Sequence, residues 1–243
     1  MALRDLTPSA SLLSRSRTPS PQDLQGIHWL PRLEPAARAL ALSSLRVVEV
    51  EPGELVCRMG RPPAYWFGVV DGLLKISNDS LMDLPVTYTG VPSGGWFGEG
   101  TALKREVYRF NVQALRRSVL AGLPIDCFDR LLESSLGFNR FLMQQLNERL
   151  GQFIAARDID RLSQPDARVA RSLAALFHPV LYPGVGELLR ITQQELAYLV
   201  GLSRQRVNRA LRAMQAAGVI RIEYGGVRVL ALDRLRNYGP ALE

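Results

Sequence analysis

Arg204, Asn208, Arg209 and Arg212 recur at helical spacing in the stretch RQRVNRALRAMQA and share one face of the helix it predicts. Val207, Ala210, Leu211 and Met214 share the opposite, apolar face. A guanidinium is a planar fork of donors that matches a phosphate or the O6/N7 edge of guanine. Residues 191–221 carry five arginines (204, 206, 209, 212 and 221) against one acid, Glu195. A helical face that is merely solvated normally mixes signs. This face therefore predicts a polyanionic partner, the bland alternative being a small helical subdomain with a charged surface.

The elements that position this face are written just upstream. Thr192 stands three residues before Glu195 at the head of an apolar run, the spacing of a capping box. Leu196, Leu199 and Val200 give that first helix one apolar side, and Ala197 lies four before Gly201, where two helices must come close. Gly201 can adopt the left-handed conformation that ends a helix, and Ser203 can cap the next one. Two helices meeting at a glycine predict a helix-turn-helix. The following IRIEYGGVRVLAL reads as strand, Gly225-Gly226 turn and strand. Together these make a winged helix. Ser203 lies in GLSRQ, which is not the G-x-S-x-G nucleophile elbow, and no base is placed to activate it.

Upstream the periodicity changes. Between about 45 and 125, short apolar runs such as LRVVEVEPGE, YWFGVVDGLLKIS and FNVQAL are punctuated by Pro52-Gly53, Asp71-Gly72 and Ser93-Gly94-Gly95. That spacing predicts a compact all-β unit. A long helical pattern follows from 127 to about 158, with Phe138, Leu142, Leu146, Leu150, Phe153 and Ile154 as its apolar stripe. The stripe is longer than capping a small β unit requires, so a self-paired seam is expected on it. Pro165 disfavours a helical Gln164, which puts a hinge at 160–166. One more helix, DARVARSLAALF, leads into the loop HPVLYPGVGE.

Composition narrows the function classes. The chain has 243 residues, enough for two domains, and a formal net charge of +7. Of its 30 basic residues only Lys75 and Lys104 are lysines. No apolar run approaches the roughly 18 residues needed to cross a membrane. The N-terminal MALRDLTPSASLLSRSRTPSPQ, rich in Ser, Pro and Arg, lacks a signal-peptide core and reads as a flexible arm. Cys57 and Cys127 form no C-x-x-C pair, and His28 and His178 are isolated, so no metal site is predicted. SGGWFGEG is not followed by G-K-[ST] and is not a nucleotide P-loop. The C-terminal 80 or so residues show no catalytic constellation, and the chain is read as a cytoplasmic non-enzyme.

The order β-roll, long helix, hinge, winged helix resembles the CRP/FNR family of bacterial transcription regulators. The resemblance covers about residues 27 to 238 and rests on ITQQELAYLVGLSRQRVNRAL and on GGWFGEGTALKREVYRF, which looks like the phosphate-binding cassette of cyclic-nucleotide-binding domains. It implies an α+β fold: an N-terminal double-stranded β-helix or jelly-roll effector domain (27–126) after a flexible arm (1–26), a dimerisation helix (127–160) and a winged helix-turn-helix (161–243). In the cassette it implies that Arg109 forks onto a ligand phosphate, Glu99 accepts from a ribose hydroxyl, and backbone N–H groups beside Gly98 and Gly100 approach the anion. The sequence departs from the cyclic-AMP receptor at Phe110, where a small hydroxyl residue is usual, and at Phe153 and Ile154, where adenine-binding hydroxyls are usual. Two readings of the roll follow: a pocket for a cyclic nucleotide or a related ligand, or an empty structural domain in which Glu99 pairs with Arg109. In the DNA reader the resemblance implies that Ser203 and Arg206 hold phosphates and that Arg204 and Arg209 reach guanine. Gln205 stands where glutamate is frequent, and Asn208 completes the interface. Its implied partners are double-stranded DNA with a palindromic site, RNA polymerase and a second copy of the chain. An enzyme with a regulatory nucleotide-binding domain is the remaining alternative.

Overall fold

The computed structural model describes residue 12 and residues 14–78, 86–160 and 164–239. Eight strands build the N-terminal domain: β1 (Arg46–Val50), β2 (Leu55–Cys57), β3 (Tyr65–Asp71), β4 (Leu73–Asn78), β5 (Val86–Pro92), β6 (Trp96–Phe97), β7 (Asn111–Ala114) and β8 (Ser118–Pro124). They pair antiparallel in two four-stranded sheets, ordered β1-β8-β3-β6 and β2-β7-β4-β5. Inner-face side chains such as Val50, Val56, Val69, Leu74, Ile76, Val91, Val112 and Leu120 fill the space between them. This is the jelly-roll the resemblance implies. A short helix, α3 (Glu99–Lys104), interrupts the strands after β6.

Residues 14–26, expected as part of a flexible arm, instead pack on the roll. The backbone of Arg17 exchanges hydrogen bonds with Val47 at 2.8 Å, and its guanidinium binds Asp23 at the start of α1 (Pro21–Gln25). That hydrogen bond, aided by Ser20, holds the Asp23 carboxyl down at about 2. The anchor is apolar: Ile27, Trp29 and Leu30 are buried immediately downstream. Residues 1–11 and 13 of the arm lie outside the described residues.

Trp29 also sets the second core. It meets Trp66 (5.6 Å between centroids), Trp96 (5.3 Å) and Phe138 (5.4 Å), largely in tilted or edge-on contacts. This cluster joins α2 (Pro35–Ser44) and the outer face of the roll to α4 (Ile125–Ser134) and α5 (Leu136–Asp160). The single long helix expected from 127 is therefore two helices. Ser135 is extended between them and accepts from the Phe138 N–H at 3.1 Å, capping α5, while its own hydroxyl donates to Glu34. A serine is a good N-cap because its oxygen satisfies an otherwise unpaired helix N–H.

The C-terminal domain holds α6 (Pro165–Ala175), β9 (Leu188–Arg190), α7 (Gln193–Val200), α8 (Arg204–Ala216), β10 (Ile220–Glu223), β11 (Gly226–Val229) and α9 (Leu232–Arg236). Of the hinge expected at 160–166, residues 161–163 lie outside the described residues; Gln164 is extended and Pro165 opens α6. The capping box forms, with Thr192 N–H to Glu195 Oε2 at 2.7 Å and Glu195 N–H to Thr192 Oγ1 at 3.2 Å. Gly201 is left-handed at φ 64°, as a tight turn between α7 and α8 requires. The wing turn is displaced by one residue from the expected Gly-Gly: Glu223 pairs with Gly226, so Tyr224 and Gly225 form it. β9 adds a third strand beside β11.

The two domains are packed together. One apolar cluster runs from the roll through Leu176, Leu181 and Tyr182 to the helices of the DNA reader. A Cβ on Gly94 would stand 2.5 Å from the Gly184 nitrogen, so only glycine permits that approach. Arg116, in the β7–β8 turn, forks onto Glu195, with Nε to Oε1 at 2.7 Å.

Candidate nucleic-acid interface and effector pocket

α8 folds with the polarity its sequence predicts. Val207, Ala210, Leu211 and Met214 are buried, whereas Ser203, Arg204, Gln205, Arg209 and Arg212 are exposed. The helix holds four arginines and no acid. Ser203 caps it, accepting from the Arg206 N–H at 3.2 Å, which leaves its hydroxyl hydrogen free to donate. Two expected contact residues are engaged within the protein. Arg206 pairs with Asp166 of α6 at 2.8 Å, and Asn208 accepts from Gln193 at 3.3 Å. Arg221 on β10 and Tyr224 at the wing tip are exposed as well.

The base of this reader is held by charge. Burial alone would raise the Glu195 carboxyl, but the Arg116 fork and the Thr192 N–H outweigh it and its acidity increases. Glu195 thus serves twice, as the second half of the capping box and as the acceptor for a residue 79 positions away in the roll.

The cassette is arranged differently from expectation. Glu99 is buried and does not meet Arg109; its Oε1 accepts from Arg149 Nε of α5 at 2.8 Å. Arg149 Nη2 also donates to the Trp96 carbonyl at 2.6 Å. Burial would lower the Arg149 pKa, but the Glu99 carboxylate and Tyr182 outweigh it and the net shift is upward. Arg109 points outward, with its side chain 78% exposed, and binds Glu106 three residues earlier at 3.0 Å. The expected Glu99–Arg109 pair is therefore corrected: α5 brings a closer cation, and alternation along 108–110 turns Tyr108 in and Arg109 out. Phe110 is half-buried against Tyr108 at 5.7 Å, and Phe153 is exposed on α5. Gly98 is left-handed at φ 83°, and a Cβ on Gly100 would meet nothing within 4 Å. Of the six expected ligand residues, Gly98, Glu99 and Gly100 are adjacent, but Arg109 turns away from Glu99. Sequence reasoning missed Arg149. Its position three beyond Leu146 hid it at the margin of the apolar stripe, and only the fold brings it to Glu99.

α5 has two faces along its length. Phe138, Phe141 and Leu142 are buried in the aromatic core. Leu136, Met143, Leu146, Leu150, Phe153 and Ile154 are exposed, at 36–70%. Positions 136, 143 and 150 recur every seven residues, as do 146 and 153, which is the spacing of a helix seam.

Comparison with known proteins bears on both domains. Residues 167–238 match the Crp-like helix-turn-helix domain, and residues 47–135 match the cyclic nucleotide-binding domain. The CRP-like protein Clp of Xanthomonas campestris pv. campestris (strain B100) is 30% identical over 182 residues, covering 68% of this chain and 75% of that protein. The chain belongs to the CRP/FNR family of regulators. It is a DNA-binding transcription regulator, and the family is composed of regulators rather than enzymes. Solved members of the family share its fold at lower identity. FixK2 from Bradyrhizobium japonicum superposes with a TM-score of 0.63 at 15% identity, over 81% of this chain and 98% of that one. The c-di-GMP responsive global regulator CLP of Xanthomonas campestris gives 0.55 at 24% identity, over 81% and 99%. Among the described residues no helix is long and apolar enough to cross a membrane.

Proposed function

We propose that the chain acts in the cytoplasm as a homodimer that reads a palindromic site in double-stranded DNA and works with RNA polymerase. The observation that carries this reading is the acid-free, arginine-bearing outer face of α8 above a fully buried apolar face. Arg204 and Arg209 fork onto guanine edges, Gln205 pairs with adenine and Ser203 holds a phosphate. Arg206 reaches a phosphate by exchanging Asp166 for it, and Asn208 braces Gln193 at the interface. The seam is the exposed stripe of α5, which sets two α8 helices on one DNA face at about 34 Å, one helical turn.

The roll senses a nucleotide-like anion; a domain of the cyclic-nucleotide-binding type and a relative described as c-di-GMP responsive support this. Gly98, Glu99, Gly100, Arg109, Phe110 and Phe153 form its cassette region, but the buried Glu99–Arg149 pair favours a structural role for Glu99. A ligand seated there would have to separate that pair and draw Arg109 away from Glu106.

The test is selection of a binding site from random duplex DNA, followed by titration of variants. Arg204→Ala or Arg209→Ala should cost about 1–3 kcal/mol and relax one base pair per half-site, while Arg206→Ala weakens all sequences alike. Full-strength, fully selective binding by Arg204→Ala would remove α8 from the role of reader.

A further inference from the structure

The four arginines of α8 are not equivalent. Arg204, Arg209 and Arg212 are exposed, and among the described residues they make no ion pair. Arg206 is held from outside the helix: its Nη2 stands 2.8 Å from Oδ1 of Asp166. The two side chains are 28% and 33% exposed, so a polyanion in solution can reach the pair. The Asp166 Oδ1 atom is itself buried and has no aligned hydrogen bond. Charge rather than a directed bond therefore keeps the guanidinium there. A phosphate presents the same charge with oxygens that an arginine fork can engage in line.

Asp166 lies in the first turn of α6, directly after the extended Gln164 and Pro165. An acid in a first turn favours its helix through the helix dipole. That explains the residue type but not the contact with α8, since a carboxylate turned to solvent would serve the dipole as well. The other acid close in sequence to the reader, Glu195, is already engaged by Arg116 and the Thr192 N–H. The division among the arginines follows their roles. Arg204 and Arg209, assigned to base edges, are unpaired, and Arg206, assigned to a phosphate, is paired.

We infer that Asp166 is an intramolecular stand-in for a DNA phosphate, a brake that occupies Arg206 in the free protein and lowers the affinity of α8 for any duplex. The inference rests on the reading of α8 as the DNA reader, and it adds a residue that sets the reader's affinity. Two effects share one sign. Arg206 must leave Asp166 to reach a phosphate, which strands the buried Oδ1 without a cation. The carboxylate then stands beside a phosphate of like charge. Phosphate contacts supply essentially all of the affinity for non-cognate DNA but only part of it at a cognate site, where base contacts add to them. A brake on a phosphate contact therefore empties non-cognate DNA first and leaves the base contacts of Arg204 and Arg209 untouched.

The test is fluorescence anisotropy of the full chain on a selected site and on a scrambled duplex, between about 50 and 200 mM salt. Asp166→Asn should bind both duplexes more tightly at the low-salt end, by about fivefold per protomer, the size of one like-charge contact at about 4 Å in water. Its dependence on log[salt] should steepen by about 0.9 per protomer, one further phosphate neutralised. Asp166→Glu keeps the charge and should behave as the parent does. In an Arg206→Ala background the gain from Asp166→Asn should shrink, because the group it frees is gone. Thermal melts separate an altered reader from a lost fold. If Asp166→Asn does not fold, Asp166→Ser, which keeps a polar side chain in the first turn of α6, takes its place. Unchanged or weaker binding by the folded variant would overturn the inference, as would an equal gain with and without Arg206, since Asp166 would then brace Arg206 for DNA or act on its own helix alone. Arg204→Ala distinguishes the two failures. If it loses selective binding, α8 remains the reader and only the brake falls; if it binds as the parent does, both fall.

Discussion

Arg149→Leu should be among the most damaging single substitutions in the roll. Glu99 is 3% exposed, and Arg149 is the partner of its Oε1 at 2.8 Å; its Oε2 has no hydrogen-bond partner. Removing the guanidinium strands a buried carboxylate and takes a 2.6 Å donor from the Trp96 carbonyl. Breaking one side of a buried ion pair costs about 3–5 kcal/mol. In a chain of this size each kcal/mol moves Tm by about 2–4 °C, so the melt should fall by about 6–20 °C. Urea unfolding followed by tryptophan fluorescence suits the question, because Trp29, Trp66 and Trp96 are all buried at 1–3% and surround the site. The double variant Glu99→Leu/Arg149→Leu removes both charges, and an apolar replacement of a buried pair is often neutral. It should therefore recover most of the loss. Stability of Arg149→Leu within 1 kcal/mol of the parent, or a double variant as damaged as the sum of the singles, would refute the reasoning.

The α5 stripe predicts assembly: Leu146→Asp/Leu150→Asp should sediment as a monomer with weakened DNA binding, because burying two unpaired carboxylates in a seam is strongly disfavoured; an intact dimer would place the seam elsewhere. Arg116→Ala removes a fork from the buried Glu195 carboxylate and should cost about 1.5–3 kcal/mol, with faster amide exchange in α7, since hydrogen bonds to charged groups contribute about that much; unchanged exchange would mean that apolar packing alone holds the domains together. The His178 pKa is depressed in the folded chain from 6.5, so the folded state binds fewer protons, and the stability this contributes is whole above pH 6.5 and lost as pH falls from there through the folded value. Denaturant midpoints between pH 8 and 5 should accordingly fall more steeply for the parent than for His178→Gln, and parallel curves would contradict the assignment.

The sequence by itself determined what short-range physics writes. A capping box needs two residues three apart, a helix stop needs one glycine, and a buried face needs one period. Thr192–Glu195, Gly201 and Val207/Ala210/Leu211/Met214 were therefore legible without coordinates, and with them the winged helix and the arginine-bearing, exposed side of α8. The alternation of apolar runs and turns similarly indicated the roll. Where two local signals compete, boundaries slipped: Ser135 is a helix cap inside an apolar periodicity, and Tyr224-Gly225 forms the turn beside a more obvious Gly-Gly. Only the tertiary structure decided the long-range pairings. Glu99 meets Arg149, 50 residues away, and Arg116 meets Glu195, 79 away. Which cation satisfies a buried carboxylate depends on the path of α5 across the roll, and no local spacing encodes that path. A cleft between the two domains is of the same kind. Its cations come from β4, α6 and α9, three elements that run from Lys75 to Arg236. They share one cleft because a continuous apolar core holds both domains together.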